Sequence, residues 1–455
     1  MDGQPNSIEA RDVRYVLHPN TDARRHQATG ALVIERGDGV HVVDSSGKRY
    51  IEAMSGLWCA ALGFSEPRLA EAAFRQMQVL PFYHSFSHKV TAPVVDLAER
   101  LIALAPVPMS KVFFTNSGSE ANDTAIKMIW YRSNALGLVA KKKIISRRRG
   151  FHGVTIGAGS LTGLAATHAS FDLPIAGFHH VSCPHHWREA HPGETEEAFA
   201  TRLASELEDL ILAEGPETVA AFFAEPVMGA GGVIVPPATY WEKIQAVLRR
   251  YDVLLVADEV ICGFGRTGNM FGSQTYSIKP DIMVLSKQLA SSYLPIAALL
   301  ISDRVYEPLA DESARLGLFG HGLTAGGHPV TAAVALENIA IIEERGLVAR
   351  ARYLGAHLQA RMAGLAGLPL VGEVRGVGLL AAVELVADRQ SKAPWQAPGV
   401  LGGMANAALQ EAGVIVRNMG DAIALCPPLI ITEAQIDTIA DRLGETIDAL
   451  GRDIG

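Results

Sequence analysis

The chain has 455 residues, 49% of them hydrophobic and 19% charged, with a formal net charge of −8. It is long enough for two or more packed lobes, and its acidic balance, with no long basic run, argues against a nucleic-acid partner, which needs clustered Lys and Arg to neutralise phosphates. No apolar run approaches the roughly 20 residues that span a bilayer, and four scattered cysteines, Cys59, Cys183, Cys262 and Cys426, fit a reducing compartment, so a cytoplasmic protein is expected.

The chain begins MDGQPNSIEARD, without the basic-then-apolar pattern of a signal peptide. Residues 30–55 predict a hairpin, two alternating runs around Asp44-Ser45-Ser46-Gly47. The middle of the chain alternates short apolar runs with helical periodicity. Strands are predicted at 111–115, 143–146, 219–224, 253–257 and 282–285, with helices such as 197–214 and 240–251 between them. Several of these strands are apolar throughout, as expected when both faces are covered. Strand–helix alternation of this kind predicts an α/β lobe with a mostly parallel central sheet. Beyond residue 328 the pattern changes to two amphipathic helices (329–344 and 347–365). Strands in GEVRGVGLLAAVELV follow, then helices near 402–412 and 433–450. A smaller α+β lobe is expected there.

Two clusters along the way carry alternatives. Lys141, Lys142, Lys143, Arg147, Arg148 and Arg149 read as a solvated loop beside a strand, or as an anion or partner site. His179, His180, Cys183, His185 and His186 hint at a metal, but their spacing is not that of a standard zinc motif.

In an open parallel sheet, ligands bind beyond the carboxyl ends of the strands. Four such ends are unusual here. The first is followed by Asn116-Ser117-Gly118-Ser119-Glu120 and a helix. Small residues there form either a phosphate cup or a plain serine cap. The second is followed by Gly150-Phe151-His152-Gly153, where an aromatic between glycines either covers a flat ring or simply packs. The fourth predicted strand runs into Asp258, a carboxylate that burial would force to find a partner or a proton. The fifth runs into Lys287, which is either a desolvated nucleophilic amine or a snorkelling surface lysine. Phosphate cup, ring cover, carboxylate and amine on one sheet edge are the four things pyridoxal phosphate needs.

ADEVICGFGRTG at 257–268, Pro280-Asp281 and then Ser286-Lys287, 29 residues after Asp258, resemble the signature of the class III aminotransferases. TNSGSEAND at 115–123, EPVMGAGGVIVPP at 225–237, HGLTAGGHP at 321–329, EVRGVGLL at 373–380 and the segment around Arg417 extend the resemblance over nearly the whole chain. It is greatest to the (S)-selective ω-transaminases of the amine:pyruvate type.

The resemblance implies a fold-type I pyridoxal-phosphate-dependent transferase. Residues 1–62 would join the small lobe, 63–327 form the large cofactor-binding domain and 328–455 the small domain. It implies Lys287 as the Schiff-base lysine and proton carrier, and Asp258 as the partner of the pyridinium nitrogen. Val260 and Phe151 would cover the two ring faces. Ser117, Gly118, Ser119, His152 and Glu225 complete the cofactor site, with Thr324 reaching the phosphate of the neighbouring subunit. A homodimer with shared active sites, or a tetramer, follows. Arg417 would meet the substrate carboxylate through a bidentate fork. Leu57, Trp58, Phe86, Phe151, Ala230 and Leu323 would shape the substrate pocket. The substrates implied are a small-molecule amine, or an ω-amino acid, and a keto acid such as pyruvate, exchanged in a ping-pong cycle through pyridoxamine phosphate. No metal is needed.

The sequence departs from the family in four places. Phe151 stands where Tyr is usual, Leu323 where Phe is common, Ala325-Gly326 where Tyr-Ser is common and Gln288 where Gly is usual. These alter the pocket, not the chemistry.

Overall fold

Seven strands form the central sheet of the computed structural model, which describes residues 6–454. The first five residues of the 1–62 segment, and residue 455, lie outside the described residues. In spatial order the strands are Lys111–Thr115, Ala297–Ile301, Ile282–Leu285, Leu254–Asp258, Val219–Ala224, Lys143–Arg147 and Phe178–Val181. All neighbours are parallel except Ala297–Ile301, which runs antiparallel to both of its partners. The sheet is therefore α/β and mostly parallel, as the alternation predicts. Its interior strands Val219–Ala224, Leu254–Asp258 and Ile282–Leu285 are buried at every position. Helices on both faces remove them from water, so no alternation survives in the sequence.

Two four-stranded sheets flank this one. The C-terminal sheet pairs Val371–Val377, Leu380–Leu385, Ala422–Leu425 and Arg417–Met419 in antiparallel order. The other contains Ile34–Asp38, His41–Asp44 and Arg49–Glu52, with Val414–Ile415 added in parallel to the third. The single predicted hairpin is therefore a three-stranded meander. An extra turn at Gly39, with φ +57°, splits the first run, while Asp44 closes the second turn by accepting the Ser46 and Lys48 amides, each at 2.9 Å. Among the described residues no helix is long and apolar enough to cross a membrane.

The basic cluster is not a solvated loop. Lys141 and Arg147 are buried, and only Arg148 is exposed. Arg147 lies over the rings of Tyr240 and Trp241 and donates to the Glu225 carbonyl at 2.5 Å. The planar, weakly hydrated guanidinium tolerates such a site when aromatic faces and a carbonyl replace water.

Candidate active site

The carboxyl ends of five strands converge on a cavity of about 120 Å³. Gly118 and Ser119 follow one strand, Phe151, His152 and Gly153 another, and Glu225 a third. Asp258 ends the fourth and Lys287 lies just past the fifth, and all of these line the same space. Larger depressions exist, including one of about 460 Å³ beside Arg75, Arg100 and Glu343. Size does not mark the site: it is the smaller cavity that gathers an amine, a buried carboxylate and a helix start.

Asp258 is buried, and its Oδ2 accepts from His152 Nδ1 at 2.8 Å and Asn122 Nδ2 at 3.0 Å. Its Oδ1 accepts the Val260 amide at 3.1 Å. Asn122 also donates to the His152 carbonyl at 2.7 Å, which locks the imidazole beside the carboxylate. These three donors hold the buried carboxylate in one orientation. His152 Nε2 and Asn122 Oδ1 are buried without a partner among the described residues. Asn122 went unread in the sequence. It sits on the second turn of helix Gly118–Ala135, and nothing local signals its partner 136 residues away.

Lys287 occupies left-handed backbone, φ +47°, one residue beyond Ser286, which follows strand Ile282–Leu285. Few non-glycine residues adopt it, and such strain gathers at functional sites. Burial draws its amine below the ordinary lysine value, with Asp258 and Glu225 acting in the opposite direction. Glu225 is pushed upward by burial, and its two oxygens accept the amides of Phe151 (3.0 Å) and Gly229 (2.9 Å). Phe151 is thereby anchored through its backbone, and its ring lines the cavity with Val260.

Ser117 does not line the cavity. Its hydroxyl caps helix Gly118–Ala135 by accepting the Glu120 amide at 3.2 Å. Gly118 starts that helix at the cavity wall, where an added Cβ would approach Val260 at 3.3 Å. Ser119 Oγ accepts the Val154 amide at 3.1 Å. The remaining sequence-predicted residues are less concentrated. Trp58 is buried in the cluster that contains Val227, Val233 and Ile261, while the adjacent Leu57 is exposed. Phe86 and Leu323 line a separate, open depression of about 530 Å³, and Thr324 is exposed beside it. These three are not brought to the 120 Å³ cavity by this chain alone. Ala230 lies in the loop after Glu225. Arg417 is half-buried at the edge of the C-terminal sheet, and its guanidinium has no ion pair or side-chain hydrogen bond among the described residues. Burial lowers its pKa.

The histidine cluster is dispersed. His180 reaches the Leu161 carbonyl (3.1 Å), His186 the Glu194 carbonyl (2.9 Å) and His185 the Glu373 carboxylate (2.7 Å). Near the N-terminus, Asp12 takes His18 at 2.8 Å and His26 at 2.9 Å.

The cavity fits pyridoxal phosphate on its own terms. It has a helix start and a serine hydroxyl for phosphate, an aromatic and a valine for the ring, a fixed buried carboxylate and a buried amine.

The aminotransferase class-III family matches residues 22–447. The omega transaminase from Pseudomonas jessenii in complex with PMP superposes with a TM-score of 0.98 at 61% identity, covering 99% of each chain. A thermostable omega transaminase variant W58M/F86L/R417L, engineered for asymmetric synthesis of enantiopure bulky amines, gives 0.98 at 60% identity over 99% of this chain and 100% of that one. The mitochondrial gamma aminobutyrate transaminase 1 of Solanum lycopersicum is 49% identical over 95% of this chain and 84% of its own length. The chain belongs to the class-III aminotransferases, enzymes that transfer an amino group to a keto acid with pyridoxal phosphate as cofactor.

Proposed function

We propose that the enzyme is an ω-transaminase in which Lys287 holds the cofactor and carries the proton, with a primary amine as donor and pyruvate as acceptor. The observation that carries this is the Lys287 side chain, which lines one small cavity with Asp258, Phe151 and Val260.

When bound, pyridoxal phosphate supplies an aldehyde for the amine and a ring that takes up the electron pair left on the substrate carbon. Gly118, Ser119 and the start of helix Gly118–Ala135 would hold its phosphate. Phe151 and Val260 would cover the ring, and Asp258, held in place by His152 and Asn122, would face its nitrogen. Lys287 would be the amine that holds the cofactor's aldehyde and the base that takes the proton from the substrate carbon. Burial lowers the basicity of its amine, the direction that favours the neutral form a base needs. Arg417 binds the carboxylate of the keto acid. A guanidinium without a competing partner among the described residues suits a carboxylate that comes and goes. Residues 63–327 would form the cofactor-binding lobe, with 1–62 and 328–455 making the smaller one.

Leu57, Trp58, Phe86, Phe151, Ala230 and Leu323 are the pocket residues in this reading. Trp58, Phe86 and Arg417 have the types and numbers altered in the bulky-amine variant. Phe86, Leu323 and Thr324 stand apart from their own chain's cavity, which supports a homodimer whose partners complete each other's sites. Four unpaired cysteines support a cytoplasmic setting.

The test uses the purified holoenzyme. Adding 1-phenylethylamine should bleach the cofactor absorbance, pyruvate should restore it, and Lys287→Ala should abolish the cycle. Normal turnover by Lys287→Ala would end the proposal. A second reading, an ω-amino-acid donor, is favoured by the gamma aminobutyrate transaminase relatives. Comparing kcat/KM for γ-aminobutyrate and 1-phenylethylamine with pyruvate decides between the two.

A further inference from the structure

We infer that Arg375 and Arg149, though outside the cofactor cavity, set the size of the substituent accepted on the smaller side of the substrate. They do so by clamping loop 229–233 from two different sheets. The inference rests on the reading that Ala230, within that loop, faces the substrate.

The loop is glycine on three of its five positions, so few of its own side chains can anchor it. At Gly229 an added Cβ would lie 2.4 Å from Ile261, a cavity-lining residue. The loop therefore passes directly behind the cavity wall. Its position is set through its main chain. At one end, Gly229 N–H donates to Glu225, whose other oxygen holds Phe151. At the other end, two guanidiniums take three consecutive carbonyls. Arg149, just past strand Lys143–Arg147, donates to Gly231 O at 2.6 Å. Arg375, on strand Val371–Val377 of the C-terminal sheet, donates to Gly232 O at 2.6 and 2.9 Å and to Val233 O at 3.2 Å.

The two arginines are themselves fixed. Arg375 pairs with Glu373 and Glu384, each at 2.7 Å. Glu373 accepts from His185 Nε2 at 2.7 Å, and His185 Nδ1 lies 3.3 Å from Arg149 Nη1. The network closes on itself around the loop. Largely withdrawn from solvent at Arg375, His185 and Glu384, it is of the kind that specifies one geometry rather than adding net stability. A lysine at 375 keeps the charge but offers no planar fork, and cannot hold two carbonyls and two carboxylates together. Ala230 would then have room to retreat. The pocket would lose grip on a methyl group and admit a longer chain.

Arg375 and Arg149 are positioning residues, so the readout is selectivity. The holoenzyme and its variants are assayed with 1-phenylethylamine and 1-phenylbutylamine, with pyruvate as acceptor. Arg375→Lys should shift the kcat/KM ratio toward the longer amine by about tenfold, the low end of what a hydrophobic pocket makes of an alkyl difference. Most of the change should lie in KM for the small amine, with the cofactor spectrum retained. Arg149→Lys, at a half-exposed position, carries the same expectation and serves if Arg375→Lys does not fold. Ala230→Val should move the ratio the opposite way. If Ala230→Val shifts the ratio while the arginine variants lower both amines equally, the clamp inference is wrong and the pocket reading stands. If Ala230→Val leaves the ratio unchanged, the pocket reading fails and takes the clamp with it.

Discussion

Asp258 shows how much of one residue's behaviour is set by its neighbours. Three protein donors converge on its carboxylate, so its direction is fixed before any ligand arrives. Asp258→Asn is nearly isosteric but removes the charge. On the proposed role it should lower kcat by about 10²-fold or more, the scale of a lost preorganised electrostatic partner. Steady-state kinetics with a circular dichroism spectrum matching the parent checks this. Asp258 and Lys287 were legible because each ends a run of apolar residues, where a charge is conspicuous. Asn122 and Arg375 were not, because their significance lies in partners that only the folded chain brings near. Ser117 was read as part of a phosphate cup or as a cap, and its hydroxyl serves the cap.

That cap sets the next scale. Helix Gly118–Ala135 begins with Ser117 accepting the Glu120 amide, while Glu120 accepts the Asn116 amide at 2.7 Å. This close variant of the capping box ties the strand–helix turn to the cavity wall. Ser117→Ala should cost about 1 kcal/mol of stability and weaken cofactor retention, read from Tm and from cofactor release on dialysis. A drop in Tm with no change in retention would mean that the turn holds its shape without the cap. Five of the seven central strands were legible as short apolar runs between helical patterns. Ala297–Ile301 was missed because a five-residue apolar run has no periodicity of its own to separate strand from helix. Phe178–Val181 was missed because its two histidines read as ligands rather than as edge-strand residues. The basic cluster misled for a related reason. Charge implies solvent only when nothing else can satisfy it, and Arg147 found two rings and a carbonyl.

At the scale of the whole molecule, burial has moved carboxyl groups in ways that stability should report. Burial pushes Glu52 and Glu259 up to about 7, although backbone amides at each oppose it. A carboxyl raised in the folded state binds its proton more tightly there than in the unfolded chain. Its contribution is fully present below the unfolded pKa of about 4.3 and is lost as pH rises through about 7. Tm should therefore decline over that interval. Glu52→Gln should remove its own contribution and flatten the decline, measured by calorimetry at several pH values. An unchanged slope would show that Glu52 is ionised throughout.

The parallel pairing of Val414–Ile415 with Arg49–Glu52 has a consequence for how the protein is made. The meander at 34–52 emerges early from the ribosome, yet its fourth strand is synthesised more than 350 residues later. Until then the edge of Arg49–Glu52 is an unpaired template, open to strands of other nascent chains. Completion of that sheet is necessarily a late event, so expression conditions that slow synthesis or crowd polysomes should bear on yield even for variants whose finished fold is as stable as the parent's.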